Sequence, residues 1–334
     1  MREALFYCKE EDDMVRCELC PHLCLINKGK AGNCRVRVNH NGTLIAENYG
    51  KISGFHADPI EKKPLYHYYP GKSILSIGSV GCNLHCKFCQ NYEIAQSGVK
   101  GIQLKELSPD SIVNDAMRLK NNIGIAYTYN EPFIFYEFMR DTALLAKQYD
   151  LKNVMVTNGF FMEGPLESML NFIDAFSVDL KAFTEEFYKK ITKSILEPIK
   201  KNLIKINNSG KFLEITNLII PGLNDDENHF VEMIKWIKNE LGENTVLHLS
   251  RYFPRYKLSV PATSSEKMTN FYNIAAEHLN YVYIGNLLTL NGQNTHCSKC
   301  NNVVISRNGY AVNTEGLDQN GQCLICRNKI IEHL

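Results

Sequence analysis

From residue 72 onward the apolar positions follow two alternating patterns. Short continuous apolar runs at 73–78, 123–128, 153–157, 173–179, 212–219 and 245–250 predict strands buried on both faces. Between them, residues 109–120, 133–149, 184–207 and 226–241 predict helices. In the last of these, Phe230, Ile234, Ile237 and Leu241 recur at helical spacing, with Trp236 off the stripe. Strands alternating with helices predict an α/β fold with a parallel sheet and right-handed crossovers. In parallel barrels ligands sit at the carboxyl ends of the strands, so the residues there are the first candidates for chemistry.

Outside that region the pattern changes. Residues 1–71 form a Cys-rich lobe with a short β segment (Val36, Val38, then Thr43 to Ala46) and a loop. The loop, from Asp58 to Gly71, is rich in proline, charge and aromatics, and is expected to cross near the mouth of the sheet. The repeating units fill 72–260, a helix and closing strand fill 261–290, and a second small Cys-rich module fills 291–334.

The formal net charge of +1 gives no electrostatic reason to expect nucleic acid or a membrane surface as partner. No apolar run reaches transmembrane length and no secretory signal opens the chain, which predicts a cytoplasmic protein. Twelve cysteines change the picture, because all but Cys8 fall into three tight groups. Grouped cysteines in such a chain read as metal sites rather than a disulfide framework.

The central group is Cys82, Cys86 and Cys89, spaced C-x3-C-x2-C directly after the first strand. Three thiolates can hold three irons of one cubane and leave the fourth iron open to another molecule. A zinc knuckle with His85 as fourth ligand, or three buried free thiols, would use the same residues differently. Cys17, Cys20, Cys24 and Cys34 can close either structural zinc or an auxiliary iron–sulfur cluster. Cys297, Cys300, Cys323 and Cys326, spaced C-x2-C-x22-C-x2-C, read as a zinc-ribbon or rubredoxin-like site for zinc or one iron.

The central spacing, with aromatic Phe88 before the third cysteine, resembles the signature of radical S-adenosylmethionine (SAM) enzymes. The resemblance implies a partial (β/α)6 TIM-like barrel, a [4Fe–4S] cluster on Cys82, Cys86 and Cys89, and SAM on the fourth iron. It also implies reductive cleavage of SAM to a 5′-deoxyadenosyl radical, with a ferredoxin or flavodoxin as electron donor. By position at the strand ends, Asn130, Glu131, Asn158, Asp179 and Lys181 are the implied SAM contacts, and His248 and Arg251 face the substrate. Tyr-Asn-Glu-Pro at 129–132 stands where the family usually has a Gly-Gly-Glu-like motif. Thr157-Asn158-Gly159 and Asp179-Leu180-Lys181 resemble glycyl-radical-enzyme activases. With the cysteine-rich ends included, the chain resembles the radical SAM member of the AmmeMemoRadiSam group, which implies Memo-like and Ammecr-like proteins as partners. Hydrogen abstraction from a small molecule or peptide, activation of a protein partner, and a non-catalytic metal-binding adaptor are the three functions that follow.

Overall fold

The structure is a computed structural model that describes residues 1–287 and 292–334. The expected boundary between residues 290 and 291 lies outside the described residues. Its centre is one eight-stranded sheet. The strands are β1 (Gly54–Pro59), β2 (Ser73–Gly78), β3 (Asn122–Tyr127), β4 (Lys152–Thr157), β5 (Ala175–Asp179), β6 (Phe212–Ile219), β7 (Val246–Arg251) and β8 (Val282–Gly285), and neighbours in the sheet follow chain order. All pairs from β2 to β8 are parallel, and only β1 runs against its neighbour. This is the α/β, mostly parallel sheet that the apolar pattern predicted, curved as the partial barrel the resemblance implied, with the expected closing strand as β8 and one unexpected strand, β1, at the other edge.

Helices cover the outer face: α1 (Pro109–Arg118), α2 (Tyr136–Lys147), α3 (Glu163–Met169), α4 (Glu197–Asn208), α5 (Glu227–Leu241) and α6 (Ser265–Ala276). Local chemistry fixes their starts. Ser108, Asp226 and Ser264 each accept a backbone N–H three residues on, which satisfies a donor the helix leaves free and is worth about 1 kcal/mol per cap. Leu75, Ile77, Ile125, Phe176, Val178, Ile215 and Leu247 point outward into one core with these helices. By alternation the intervening residues, Ser76, Ala126, Ser177, Thr216 and His248, point into the lumen.

Two expectations are corrected. The helix expected over 184–207 is broken: a short turn (Glu185–Phe187) runs into a π-helical segment (Tyr188–Thr192), Lys193 is left-handed, and α4 starts afresh. The cause lies in the loop it packs on. Backbone N–H groups of His85 and Lys87 donate to the carbonyls of Thr192 (2.8 Å) and Ile191 (3.2 Å). A regular helix would have used those carbonyls internally.

The segment from Asp58 to Gly71 is also elsewhere than expected. Because β1 runs antiparallel to β2, it leads away from the mouth, and the loop after it closes the opposite end. There Glu214 accepts the backbone N–H groups of Tyr66 and His67, and His67 Nε2 bonds the Tyr283 hydroxyl at 2.7 Å. The C-terminal module seals this floor. Arg307 stacks on Tyr66 and donates to its carbonyl, and Ile305, Leu317, Cys323 and Ile331 pack with Tyr281 and Tyr283. Among the described residues no helix is long and apolar enough to cross a membrane.

Candidate cluster and cofactor site

The loop carrying Cys82, Cys86 and Cys89 leaves β2 at the mouth and is held at both ends. Asn130 accepts from Ser79 N (3.0 Å) and donates to Gly81 O (2.8 Å), so the turn after β3 fixes the entry to the cysteine loop. Asn83, fully buried, donates to Phe160 O (2.6 Å) and accepts from Asn158 Nδ2 (2.8 Å). Asn158 Nδ2 also lies 3.8 Å from Cys82 Sγ, and Leu84 N donates to that sulfur at 3.3 Å. Phe88 is buried and leans on Phe187.

Charge is arranged around the three sulfurs. Lys181 Nζ bonds Asp179 Oδ2 at 2.8 Å and stands 5.9 Å over the Phe88 ring. Burial pushes the Cys86 thiol up to about 12, opposed by the Lys181 cation; burial also raises Cys82 and Cys89. Such thiols become thiolate ligands only beside a bound cation, which a metal cluster supplies.

Glu131 is placed at the end of β3 as expected, and its oxygens are engaged. Oε1 accepts from Phe133 N (3.0 Å) and Thr157 Oγ1 (2.7 Å), and Oε2 from Asn158 N (2.8 Å). Burial raises its carboxyl to about 7 against those three hydrogen bonds. It therefore clamps the ends of β3 and β4 together while lying within reach of the cysteine loop.

The zinc-knuckle alternative fails on geometry. His85 is engaged elsewhere through one nitrogen: its Nδ1 accepts from Arg35 Nη2 at 2.9 Å and lies 3.1 Å from Gln96 Oε1. Among the described residues, only Cys297, Cys300, Cys323 and Cys326 bring three or more ligand atoms within 4.8 Å of one another. Cys82, Cys86 and Cys89 are spread more widely, as thiolates on separate irons must be. Buried thiols, N–H donors aimed at sulfur and an adjacent lysine together fit the cluster.

His248 and Arg251 part company. The His248 imidazole points to the floor, 2.5 Å from Glu214 Oε2 and packed against Tyr66 and Tyr283, so it does not reach the mouth. Arg251, at the end of β7, donates to Thr263 O at 2.7 Å and lies over Phe253.

The structure adds residues that spacing did not single out. Tyr129, with φ of 73°, lays its ring over Gly54 and Gly78, where any side chain would collide with it. Its hydroxyl donates to Asp58 Oδ2 (2.7 Å), which also pairs with the buried Lys63 (2.7 Å). Burial alone would raise the Asp58 carboxyl, but Lys62, Lys63 and Tyr129 hold it well below the usual range. The hydroxyls of Ser76, Ser177 and Thr216 are buried in the lumen with no hydrogen-bond partner among the described residues. Nothing in the sequence announced the Tyr129 contacts or the three hydroxyls.

Known proteins supply the wider comparison. The sequence profile of the radical SAM superfamily matches residues 76–237, which contain all three loop cysteines and every residue of the Glu131–Asn158–Lys181 side. An uncharacterized protein of Methanocaldococcus jannaschii is 42% identical over 333 residues, covering 99% of each chain. The pyruvate formate-lyase-activating enzyme of Clostridium pasteurianum is 25% identical over 48% of this chain and 67% of its own. Among solved structures, Streptococcus suis SuiB bound to its precursor peptide SuiA aligns with a TM-score of 0.50 at 11% identity, over 67% of this chain and 50% of its own, a likeness of fold alone. With the cysteine loop at the mouth of a parallel partial barrel, the chain belongs to the radical SAM superfamily.

Proposed function

We propose that this radical SAM enzyme takes hydrogen from a small polar substrate, or a peptide side chain, seated inside the barrel lumen. When bound, the [4Fe–4S] cluster and SAM supply a deoxyadenosyl radical, and the protein's task is to position and shield it. Cys82, Cys86 and Cys89 would hold the cluster. Lys181, held by Asp179, lies where it can receive a carboxylate, and Asn158 supports the loop from the next strand end.

One observation carries the substrate reading. Ser76, Ser177 and Thr216 offer three buried hydroxyls that have no partner among the described residues. Buried hydroxyls without partners cost about 1–3 kcal/mol each unless a polar ligand or water satisfies them. The lumen ends blindly on the Glu214–His248 pair and the C-terminal module, which suits a molecule that enters whole.

Activation of a protein partner is the second reading, favoured by similarity to several glycyl-radical activating enzymes over up to half of the chain. A ferredoxin or flavodoxin is the proposed electron donor, and Memo-like and Ammecr-like proteins are proposed companions on the strength of the cysteine-rich ends.

The test is fractionation. Anaerobic, reduced enzyme with SAM is given either the small-molecule or the protein fraction of a cell extract, and 5′-deoxyadenosine is measured. The lumen reading expects stimulation by the small-molecule fraction, diminished in Ser177→Ala and Thr216→Val. Stimulation by the protein fraction alone would overturn it in favour of the activase.

A further inference from the structure

The four N-terminal cysteines form a compact group whose metal the spacing left open. Cys17, Cys20 and Cys34 are buried and Cys24 half-buried. Their backbone is fixed: Cys17 N donates to Cys24 O (2.9 Å), Leu23 N to Cys20 O (3.0 Å), and Asn33 N to the Cys24 sulfur (3.5 Å).

The distances between sulfurs separate the possible metals. A single ion with four thiolates at about 2.3 Å holds neighbouring sulfurs about 3.8 Å apart. The C-terminal group matches that size, with Cys297 and Cys326 sulfurs 3.5 Å apart and those of Cys300 and Cys323 3.7 Å apart. The N-terminal group does not: no three of its sulfurs lie within 4.8 Å of one another. It shares this wider spread with Cys82, Cys86 and Cys89. Thiolates bound to different irons of one cluster are kept apart by the metal–metal edges between them.

The second observation is where this group sits. The Cys34 carbonyl lies against Gly81, the residue before Cys82. His22, between Cys20 and Cys24, donates from Nε2 to the carbonyl of Asn83, between Cys82 and Cys86, at 2.7 Å. Arg35, after Cys34, holds His85 within the same loop. Three contacts thus bind one cysteine set to the other.

We propose that Cys17, Cys20, Cys24 and Cys34 hold a second iron–sulfur cluster, which relays electrons into the SAM-cleaving site. One electron enters from an external low-potential one-electron carrier and reduces this cluster. The same electron then passes to the cluster at Cys82, Cys86 and Cys89, leaving the first oxidised again; no proton or bond is exchanged. The relay rests on the radical SAM reading, whereas occupancy by a cluster does not.

Acid-labile sulfide separates the metals, because zinc and a lone iron carry none. The variant Cys82→Ala/Cys86→Ala/Cys89→Ala, reconstituted anaerobically with iron and sulfide, is expected to hold about four sulfides per chain. On reduction it should give a paramagnetic resonance signal that SAM leaves unchanged. No sulfide in that variant, with two zinc ions per chain, would overturn the proposal. Should the variant fail to fold, wild-type protein gives the same answer, with about eight sulfides expected and about four contradicting it. The relay predicts that the fully reduced wild-type spectrum is broadened by coupling between two nearby spins; a plain sum of two independent signals would exclude it. Loss of SAM cleavage with both clusters intact would instead count against the catalytic reading.

Discussion

The backbone carbonyl of Cys34 occupies the space that a side chain on Gly81 would need. Gly81 also has φ of 86°, in the left-handed region, so alanine there meets both backbone strain and a collision. Gly101 has the same φ with nothing within 4 Å and isolates the backbone cost. Gly101→Ala is expected to cost roughly 1–3 kcal/mol for the strain alone, and Gly81→Ala to lower the denaturation midpoint of the holoprotein further because of the clash. Equal effects would mean that the N-terminal lobe does not press on the cysteine loop.

Glu214 and His248 hold the floor together. Glu214 accepts from His248 and from two backbone amides; burial alone would raise its carboxyl, yet these partners hold it below the ordinary value. A carboxyl lowered in the folded state stabilises above its unfolded value near 4.5, and that stability is lost as pH falls through the folded value. Wild-type stability is therefore expected to drop in acid more steeply than that of Glu214→Gln. At neutral pH the variant, which replaces the carboxylate that holds His248 and two backbone amides, should lose about 1–3 kcal/mol by chemical denaturation. A variant as stable as wild type would remove the pair from the account.

Much of this floor was invisible in the sequence. The apolar runs of β2 to β7 and the three cysteine groups were legible because each is a local pattern: buried parallel strands are continuously apolar, and ligands cluster at fixed spacing. The strand Gly54–Pro59 carries glycine, histidine, aspartate and proline, so no period marks it, and its reversed direction sent the following loop to the wrong end. His248 looked like a strand-end residue until its partner, 34 positions earlier, came beside it. The break in the helix expected over 184–207 came from amides more than a hundred positions away, which no local window contains. Asn130 and Asn158 contact the cysteine loop and Asp179 holds Lys181 beside Phe88, because the carboxyl ends of parallel strands converge at one mouth.

The C-terminal metal should act through the floor. Cys297, Cys323 and Cys326 share a core with Tyr281, Tyr283 and Ile331, and Arg307 joins that core to Tyr66. Removing the metal by Cys323→Ser or a strong chelator is expected to lower the melting temperature by several degrees and to expose residues 58–71 to proteolysis. Unchanged protection of that loop would make the module an appendage rather than a seal.

Lys181 offers the most direct test of the SAM contacts. A charge-assisted hydrogen bond contributes about 1.5–3 kcal/mol, so Lys181→Met should weaken SAM binding about tenfold to a hundredfold. Equilibrium dialysis on the cluster-loaded protein reads this directly. Undiminished affinity would assign the lysine to Asp179 alone.

The loop at the mouth of this barrel is expected to drive reductive cleavage of SAM. Anaerobically reconstituted, dithionite-reduced protein is given SAM, and 5′-deoxyadenosine is quantified beside a Cys86→Ala control. The account predicts release by the wild type and none by the variant. No release from protein with a full, reducible cluster, with or without cell extract, would contradict it.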